Sequence, residues 1–333
     1  MPVVAPKRIR TKVSDRRYIT NTMCAHPVLI VAPANDFHAA AVVTVLKRRH
    51  VATEWIDTAE LNKALRLNCS LDDSVSASLT LPGRRLSLSD FGTVWWRRPR
   101  CPANNENLDE NHREFVRNEW EHFLGALEVF VPARWVNPPG ASYLADRKAR
   151  QLAMAHALGL RVPRTAISND ADTVRSLAAE GVPLIYKSIG NGAHPVTITR
   201  PLLSADLERL DVLHNCPAIF QERIEARADI RVTAMGDSLY AAEIDSQAGD
   251  ARLDWRLDHS VAMRPHRLDT QTETRLTGLM KSLGLAYGAI DLRLTPQGEY
   301  VFLEVNPGGQ FLFLELVAGM PLSELMADFL AVR

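Results

Sequence analysis

The sequence predicts an α/β protein whose last third turns antiparallel, an α/β (α+β) chain of three lobes. Three observations carry that expectation. Short apolar, strand-like runs alternate with helix-periodic stretches in the early chain. The late chain holds two hairpin patterns one after the other. The chain has 333 residues and 46% hydrophobic content, enough for more than one core. The expected boundaries are a basic, disordered extension over 1–26, an N-terminal α/β lobe over 27–136, a central lobe over 137–218 and a C-terminal antiparallel-sheet lobe over 219–333.

In order along the chain, PVLIVA from Pro27 reads as a short apolar strand. DFHAAAVVTVLKRR has the spacing of an amphipathic helix with Asp36 as N-cap. SASLTLPGRRLSLSDFGTVWWRRP reads as a hairpin turning at Pro82-Gly83, then a strand ending in Trp95, Trp96, Arg97 and Arg98. Residues 111–129 are expected to be helical, and NPPG at 137–140 marks a boundary. DRKARQLAMAHALGL predicts a helix with Asp146 as N-cap and a stop near Gly159, followed by the strand RVPRTAI. PLIYKSIGNGAHP is a strand entering a glycine loop, and IFQERI opens the third lobe. RVTAMGDSLYAAEID predicts a hairpin turning at Gly236-Asp237, and GAIDLRLTPQGEYVFLEVN the final one. The whole run VFLEVNPGGQFLFLE has the composition of a buried strand, and LSELMADFLAVR closes the chain as a helix.

Composition removes several function classes. The 39 basic and 39 acidic residues cancel, so no global field draws nucleic acid or an anionic membrane. No apolar stretch approaches a membrane span, and the N-terminus lacks the apolar core of a secretory signal. Cys24, Cys69, Cys101 and Cys216 are scattered without metal-type spacing, as in a reducing compartment, so a cytoplasmic location is expected. Residues 1–22 are basic and aperiodic, a disordered extension or an upstream start before Met23.

The final hairpin carries the chemistry. In GAIDLRL, Ile290, Leu292 and Leu294 share one face, which leaves Asp291 and Arg293 on the other. Glu304 and Asn306, two residues apart, also share a face. A four-residue loop in TPQGEY would pair Thr295 with Tyr300 and Arg293 with Phe302, and set Asp291 opposite Glu304. Cross-strand neighbours lie roughly 5 Å apart at Cβ, and two carboxylates that close repel unless a proton or cation intervenes. Asp291, Glu304 and Asn306 offer only hard oxygen donors, which suits Mg²⁺ or Mn²⁺. The simpler reading pairs the carboxylates with arginines such as Arg293 or Arg256.

There is no Walker A motif, and GNG at 190–192 does not fit a dinucleotide fingerprint. Lys187 ends a strand just before glycines whose amides could approach an anion. Lys148 lies near a helix N-terminus, where an anion can dock. Each lysine alone reads more simply as a solvated surface residue. IFQERI places Gln221 and Glu222 in a short apolar run, as a linker touching a base through its backbone requires.

The order of these features is more informative than any one of them. A helix lysine, a strand lysine with a glycine loop, a short hinge, an Asp strand and a Glu-x-Asn strand resemble the ATP-grasp ligases over residues 27–333. Within that superfamily the chain resembles the peptide-modifying branch that makes microviridins and related graspetides. The motifs that carry the likeness are VWWRRP, DRKARQLAMAHALGLRVPRT, IYKSIG, IFQERIEARADIRVTAMGDSLYAAEIDSQ, DWR and AIDLRLTPQGEYVFLEVNPGGQFLFLE. The resemblance implies that Lys148 and Lys187 contact ATP phosphates, that Gln221, Glu222 and Ile224 form the adenine hinge, and that Asp229 reaches the ribose. It implies that Asp291, Glu304 and Asn306 hold magnesium, and it puts Arg231 and Arg256 near the γ-phosphate or the acyl phosphate.

The activity so implied is phosphorylation of an Asp or Glu side chain of a ribosomal precursor peptide, followed by attack of a Ser or Thr hydroxyl or a Lys amine. A leader segment of the precursor as partner and a homodimer belong to the same implication. WWRRPR could grip an acidic peptide; equally, its tryptophans could pack between lobes with the arginines in salt bridges. The alternatives are an ATP-grasp ligase that appends an amino acid to a protein or peptide tail, and an ATP-binding regulatory module without chemistry.

Overall fold

The computed structural model describes residues 26–102, 108–190, 199–248, 252–253, 255–257 and 260–332. The basic N-terminal segment, the glycine loop beyond Gly190 and Asp254 of DWR lie outside them.

The first sheet takes its strands from β1 (Val28–Val31), β2 (Thr53–Ile56), β6 (Thr93–Trp96) and β7 (Arg134–Val136), in the order β2-β1-β6-β7 and all parallel. Because β1 has a neighbour on each side and layers on both faces, all four of its residues are buried, a continuous apolar run rather than an alternating one. Helix α1 (Phe37–Arg48) starts as predicted: the Asp36 carboxylate accepts from the Ala39 N–H at 2.8 Å, with Lys47 and Arg48 in the last turn. Between β2 and β6 an antiparallel sheet of β3 (Arg66–Leu71), β4 (Val75–Leu81) and β5 (Arg84–Ser87) turns at Gly83, where φ is +78°. Helices α2 (Glu110–Gly125) and α3 (Leu127–Phe130) then lead into β7.

Next come α4 (Pro139–Ala145), α5 (Lys148–Ala157), β8 (Thr165–Ser168), α6 (Ala171–Ala179), β9 (Leu184–Lys187), β10 (Arg200–Pro201), α7 (Ser204–Leu207) and β11 (Ala218–Glu222). Their four strands form an antiparallel sheet in the order β10-β9-β11-β8. The expected Asp146 N-cap is not formed: Asp146 is the C-cap of α4, and α5 begins after Arg147. The Pro-led α4 takes up the turn that the sequence pattern gave to α5, so Lys148 is the first residue of its helix.

The last sheet, β14-β13-β12-β15-β16, uses β12 (Ala228–Met235), β13 (Ser238–Ile244), β14 (Met263–His266), β15 (Tyr287–Leu294) and β16 (Tyr300–Asn306). Helix α8 (Thr270–Ser282), capped by Asp269 onto the Thr272 N–H at 2.8 Å, precedes β15. Ile230, Val232, Ala234, Ile290, Leu292, Phe302 and Val305 pack with Leu276 and Leu279 of α8 and with Leu152 and Ala155 of α5. The opposite face of β12, β15 and β16 therefore carries Asp229, Arg231, Asp291, Arg293, Glu304 and Asn306. Helices α9 (Leu312–Ala318) and α10 (Leu322–Ala331) end the chain. The run VFLEVNPGGQFLFLE is thus a strand only to Asn306; after Pro307-Gly308-Gly309 its leucines belong to α9.

One core joins the two ends of the chain. Val28, Ile30 and Trp95 of the parallel sheet and Val42 and Leu46 of α1 pack with Tyr287, Phe311, Leu322 and Met326. Asn137, in the predicted boundary NPPG, is 1% exposed and fastens this junction. Its Nδ2 donates to the carbonyls of Tyr287 (2.8 Å) and Pro307 (3.1 Å), and its Oδ1 accepts from the N–H groups of Ala286 and Tyr287, both at 2.7 Å.

Candidate active site

The two carboxylates of the last hairpin face each other, as Asp291 pairs with Glu304, but the route to that register differs from the expected one. The loop is five residues long, Thr295–Glu299, closed by the Thr295 N–H on the Glu299 carbonyl at 2.9 Å. Tyr300 therefore pairs with Leu294, not Thr295, and Arg293 pairs with Val301, not Phe302. A β-bulge between Asp291 and Leu292 leaves Leu303 as the extra residue and restores the register beyond it.

Strand β16 is an edge strand, and Gln151 satisfies it. The Gln151 side chain is 2% exposed, donates to the Val305 carbonyl at 2.7 Å and the Ala145 carbonyl at 2.5 Å, and accepts from the Val305 N–H at 2.9 Å. Lys148 lies three residues earlier on the same face of α5. The glutamine thus docks the helix that presents Lys148 against the strand that presents Glu304, and Lys148 Nζ stands 3.7 Å from Glu304 Oε2. Arg256 Nη1 approaches the other oxygen at 3.6 Å. Burial raises the Glu304 pKa, but the charges of Lys148, Lys187, Arg256 and Arg231 outweigh it and hold the carboxyl below its ordinary value.

Asp291 is 9% exposed, and both its oxygens accept from Arg231 Nη1 at 2.8 Å. Burial pushes its carboxyl up; Arg231 pulls it back and the Glu304 charge adds to the rise. The simpler reading is thus partly realised, with Arg256 beside Glu304. Arg293 does not reach the pair: its Nε lies 3.3 Å from Asp229 Oδ1, and its amino groups donate to the carbonyls of Ile224, Arg252 and Leu253. Asp229 is 4% exposed beneath this arginine.

At the end of β11, where the hinge is expected, Gln221 is buried and donates from Nε2 to Thr165 Oγ1 at 2.9 Å, while the Glu222 carboxylate accepts from the Arg164 N–H at 3.2 Å. Ile224 is 6% exposed, next to the Arg293 anchor. Lys187 ends β9 opposite Ile219 of β11, close enough for its charge to act on Glu304.

The donor set suits a hard divalent cation. Glu304 is held ionised, Asp291 is a buried carboxylate whose charge gains from a second cation, and Asn306 lies on the same face with its Oδ1 accepting from the Gly308 N–H at 3.0 Å. Among the described residues no group of three His, Cys, Asp or Glu side chains could hold a metal, so a cation on Asp291 and Glu304 would need a donor of another kind, and the Asn306 amide lies on the same face.

Sequence reasoning missed what fixes the loop after Asn306. Arg97, 1% exposed, takes Asp36 through Nε at 3.0 and 3.1 Å and donates from Nη1 to the Gly309 carbonyl at 3.1 Å. The Gly309 carbonyl also accepts from Tyr287 Oη at 2.8 Å, that of Gly308 from Arg98 Nε at 2.7 Å, and that of Gln310 from Arg231 Nη2 at 3.1 Å. Three successive carbonyls are thus held by cations and a phenol. Only glycine fits at 309, where a Cβ would stand 2.1 Å from the Ala289 Cβ. In WWRRPR, Trp95 and Trp96 are core residues on opposite faces of β6, and Arg97 and Arg100 form salt bridges with Asp36 and Asp57. The doubled arginine was the available signal; Asn137, Gln151 and Tyr287 gave none, being single polar groups in apolar patterns.

No family model and no curated protein matches the sequence. Solved structures do. The chain aligns over 92% of its length with all of the macrocyclase MdnC from Microcystis aeruginosa, a structure bound with the precursor peptide MdnA, at 29% identity and a TM-score of 0.84. The chain belongs to the graspetide-type ATP-grasp ligases. The macrocyclase MdnB of the same organism matches at 27% identity, covering 92% of this chain and 99% of its own, with a TM-score of 0.78. A RiPP-associated ATP-grasp ligase from Chryseobacterium gregarium, in complex with ADP and a leader and core peptide, matches at 26% identity over 92% of this chain and 96% of that one, with a TM-score of 0.82. In this ATP-grasp ligase the paired carboxylates, Lys148 and Arg231 therefore lie in a chain that shares its architecture with peptide macrocyclases along nearly its whole length.

Proposed function

We propose that this chain is an ATP-dependent peptide macrocyclase that activates Asp or Glu side chains of a ribosomal precursor peptide and joins them to Ser or Thr hydroxyls or Lys amines. The observation that carries the reading is the convergence of Lys148, Arg231 and Arg256 on the facing carboxylates Asp291 and Glu304, in a chain similar to MdnC over 92% of its length.

A carboxylate is a poor acyl donor because hydroxide leaves badly. Attack of a peptide carboxylate oxygen on the γ-phosphorus breaks the bond to the bridging oxygen, releases ADP and gives an acyl phosphate. A hydroxyl or amine of the same peptide then adds to the carbonyl, loses its proton, and expels phosphate. Each ring removes one water from the peptide and converts one ATP to ADP and phosphate. Lys148 and Lys187 bind the phosphates, and Arg231 and Arg256 neutralise charge on the transferring group and the oxyanion. Gln221, Glu222 and Ile224 offer the hinge for adenine, with Asp229 on the ribose side. Asp291, Glu304 and Asn306 would hold Mg²⁺ or Mn²⁺, which supplies charge neutralisation between the phosphates.

The same reading includes lobes at 27–136, 137–218 and 219–333, with β11 (Ala218–Glu222) crossing the last boundary to complete the central sheet, a leader segment read apart from the ring-forming residues, a homodimer, and a cytoplasmic setting in keeping with free Cys69, Cys101 and Cys216. The test is mass spectrometry of the precursor peptide encoded beside this gene after incubation with enzyme, ATP and magnesium. Loss of one water per ring, with fragments linking an acidic residue to Ser, Thr or Lys, is the expected result. A mass gain equal to an added amino acid would replace macrocyclisation with the tail-appending ligase.

A further inference from the structure

Among the described residues, Arg97 and Arg100 of WWRRPR form salt bridges, whereas Arg98 holds a backbone carbonyl and forms none. It follows the carboxyl end of β6, next to β1 in the parallel sheet. Strand β2 lies on one side of this pair and β7 on the other, so the chain leaves β1 and β6 in opposite directions. In open parallel sheets the crevice outside such a reversal is where ligands bind. The loop after β1 brings Asp36 to this crevice and the loop after β6 brings Arg97 and Arg98.

The two arginines differ in what they have left to offer. Arg97 is buried, its Nε and Nη1 are committed to Asp36 and the loop carbonyls, and its Nη2 is enclosed, so a ligand in the crevice does not meet it as an exposed group. Arg98 is exposed, and its backbone sits in the left-handed region at φ +49°, which a side chain with a Cβ rarely adopts. Its Nε is tied to the Gly308 carbonyl at 2.7 Å, which orients the guanidinium, and among the described residues its two amino groups make no hydrogen bond and are placed for a ligand. With its neighbours Arg97 and Arg231, which are paired with Asp36 and Asp291, Arg98 makes three positive charges against two negative ones. Although its tip reaches solvent, the walls of the crevice partly desolvate Arg98, and this with the Arg97 charge presses its pKa down while Asp36 opposes them, so an anion placed here is favoured. The place is also right for chemistry: Gly308, which anchors Arg98 through its carbonyl, holds Asn306 Oδ1 through its N–H.

We propose that Arg98 binds the acidic side chain of the precursor peptide, gripping its carboxylate end-on beside Asn306, and is the specificity-determining residue that selects an acid over the corresponding amide. This rests on the macrocyclase reading above. The peptide carboxylate bridges the guanidinium of the N-terminal sheet and the phosphate-transfer centre of the C-terminal sheet, with one oxygen on Arg98 and the other free to attack phosphorus.

The experiment compares two probes by calorimetry in the presence of a non-hydrolysable ATP analogue: the precursor encoded beside this gene, and its copy with the ring-forming Asp and Glu residues changed to Asn and Gln. The wild type is expected to bind the acidic peptide about tenfold more tightly, the scale of a charge-assisted pair. In Arg98→Gln that preference falls to within about twofold, and Arg98→Lys recovers part of it, because a point charge replaces a planar fork. Binding of the ATP analogue reports whether each variant is folded. Should Arg98→Gln fail that check, Gly308→Ala, whose Cβ would stand 3.1 Å from Arg98 Cγ, displaces the same guanidinium and is expected to lose the preference. A wild type that binds both peptides equally, or a preference that survives in the folded variants, overturns the assignment. Failure of the macrocyclase reading is distinguishable: it shows as no loss of water in the mass spectrum, whereas the binding comparison needs no turnover.

Discussion

Replacing Asp291 by asparagine changes two things at once, and the structure allows them to be separated. Asp291 is a proposed metal ligand, and it is also the counter-ion of Arg231, whose side chain is 7% exposed. Removing one partner of a buried pair costs about 3–5 kcal/mol, because the other charge is left without compensation. Glu304 differs: its nearest cations stand at 3.6 and 3.7 Å rather than 2.8 Å, Arg256 is 56% exposed and screened by solvent, and although the Lys148 side chain is only 11% exposed, loss of the Glu304 charge also removes its repulsion with Asp291. Glu304→Gln is expected to cost no more than about 1 kcal/mol. With an unfolding entropy of about 2.1 cal/mol/K per residue, one cooperative unit of 333 residues loses about 1.4 °C per kcal/mol. Thermal unfolding should therefore place Asp291→Asn about 4–7 °C below the wild type and Glu304→Gln within about 2 °C of it. ATP turnover with the precursor should be lost in both, and calorimetry with Mn²⁺ and an ATP analogue should show weakened metal binding in both. Equal thermal shifts for the two variants would refute the assignment of Arg231 as a charge that depends on Asp291. Full turnover in either variant would remove the metal site itself.

Gln151→Leu leaves the Val305 N–H and carbonyl and the Ala145 carbonyl without their partner in a buried setting; at about 1–3 kcal/mol for each such group, a loss of at least about 3 kcal/mol in denaturant unfolding is expected. His38 is held down to about 4 by burial and the Arg97 charge, against 6.5 in the unfolded chain, while its Nδ1 accepts from the N–H groups of Phe311 and Leu312. The unfolded chain then binds the extra proton between these values, so stability is complete above about pH 6.5 and falls by up to about 3 kcal/mol toward pH 4. His38→Asn should flatten that part of a melting-temperature profile, and an unchanged slope would count against it. Gly309→Ala drives a Cβ to 2.1 Å from Ala289, so it should abolish turnover and cost about 1–3 kcal/mol, and the double variant with Ala289→Gly should recover part of both.

The parts of the structure legible in the sequence are those set by near neighbours in the chain. Periodic patterns gave the α1 helix with its Asp36 cap, the turns at Gly83 and Gly236, and the face shared by Asp291, Glu304 and Asn306. The facing of Asp291 and Glu304 was reached through a wrong loop length, and a bulge at Leu303 supplied the missing residue. A two-residue period records which face a side chain takes, and a bulge is invisible to it. Asp146 was misassigned because a capping residue is recognised from the helical pattern on its C-terminal side, and here a second short helix precedes it. Helix α9 differs from the strand its composition suggests because a short apolar run has no period that separates the two.

The rest of the site could not be read because its causes are distant in sequence. Gln151 matters through Val305, 154 residues away, and Arg97 through Gly309, 212 residues away. Both do the same kind of work: a side chain distant in sequence satisfies backbone groups of the strand and loop that carry the proposed metal donors. Backbone so held cannot relax when a phosphate departs, which is what preorganisation of a charge-stabilising site requires. It also explains why the Asn306 loop has three consecutive carbonyls on Arg98, Arg97 with Tyr287, and Arg231. An isolated hairpin would place the two carboxylates together but would leave Asn306 and the following glycines mobile. The site therefore needs the N-terminal sheet as part of its frame, and substitutions in that sheet, at Arg97 or Asp36, should act on catalysis although neither is a proposed ligand of metal or nucleotide.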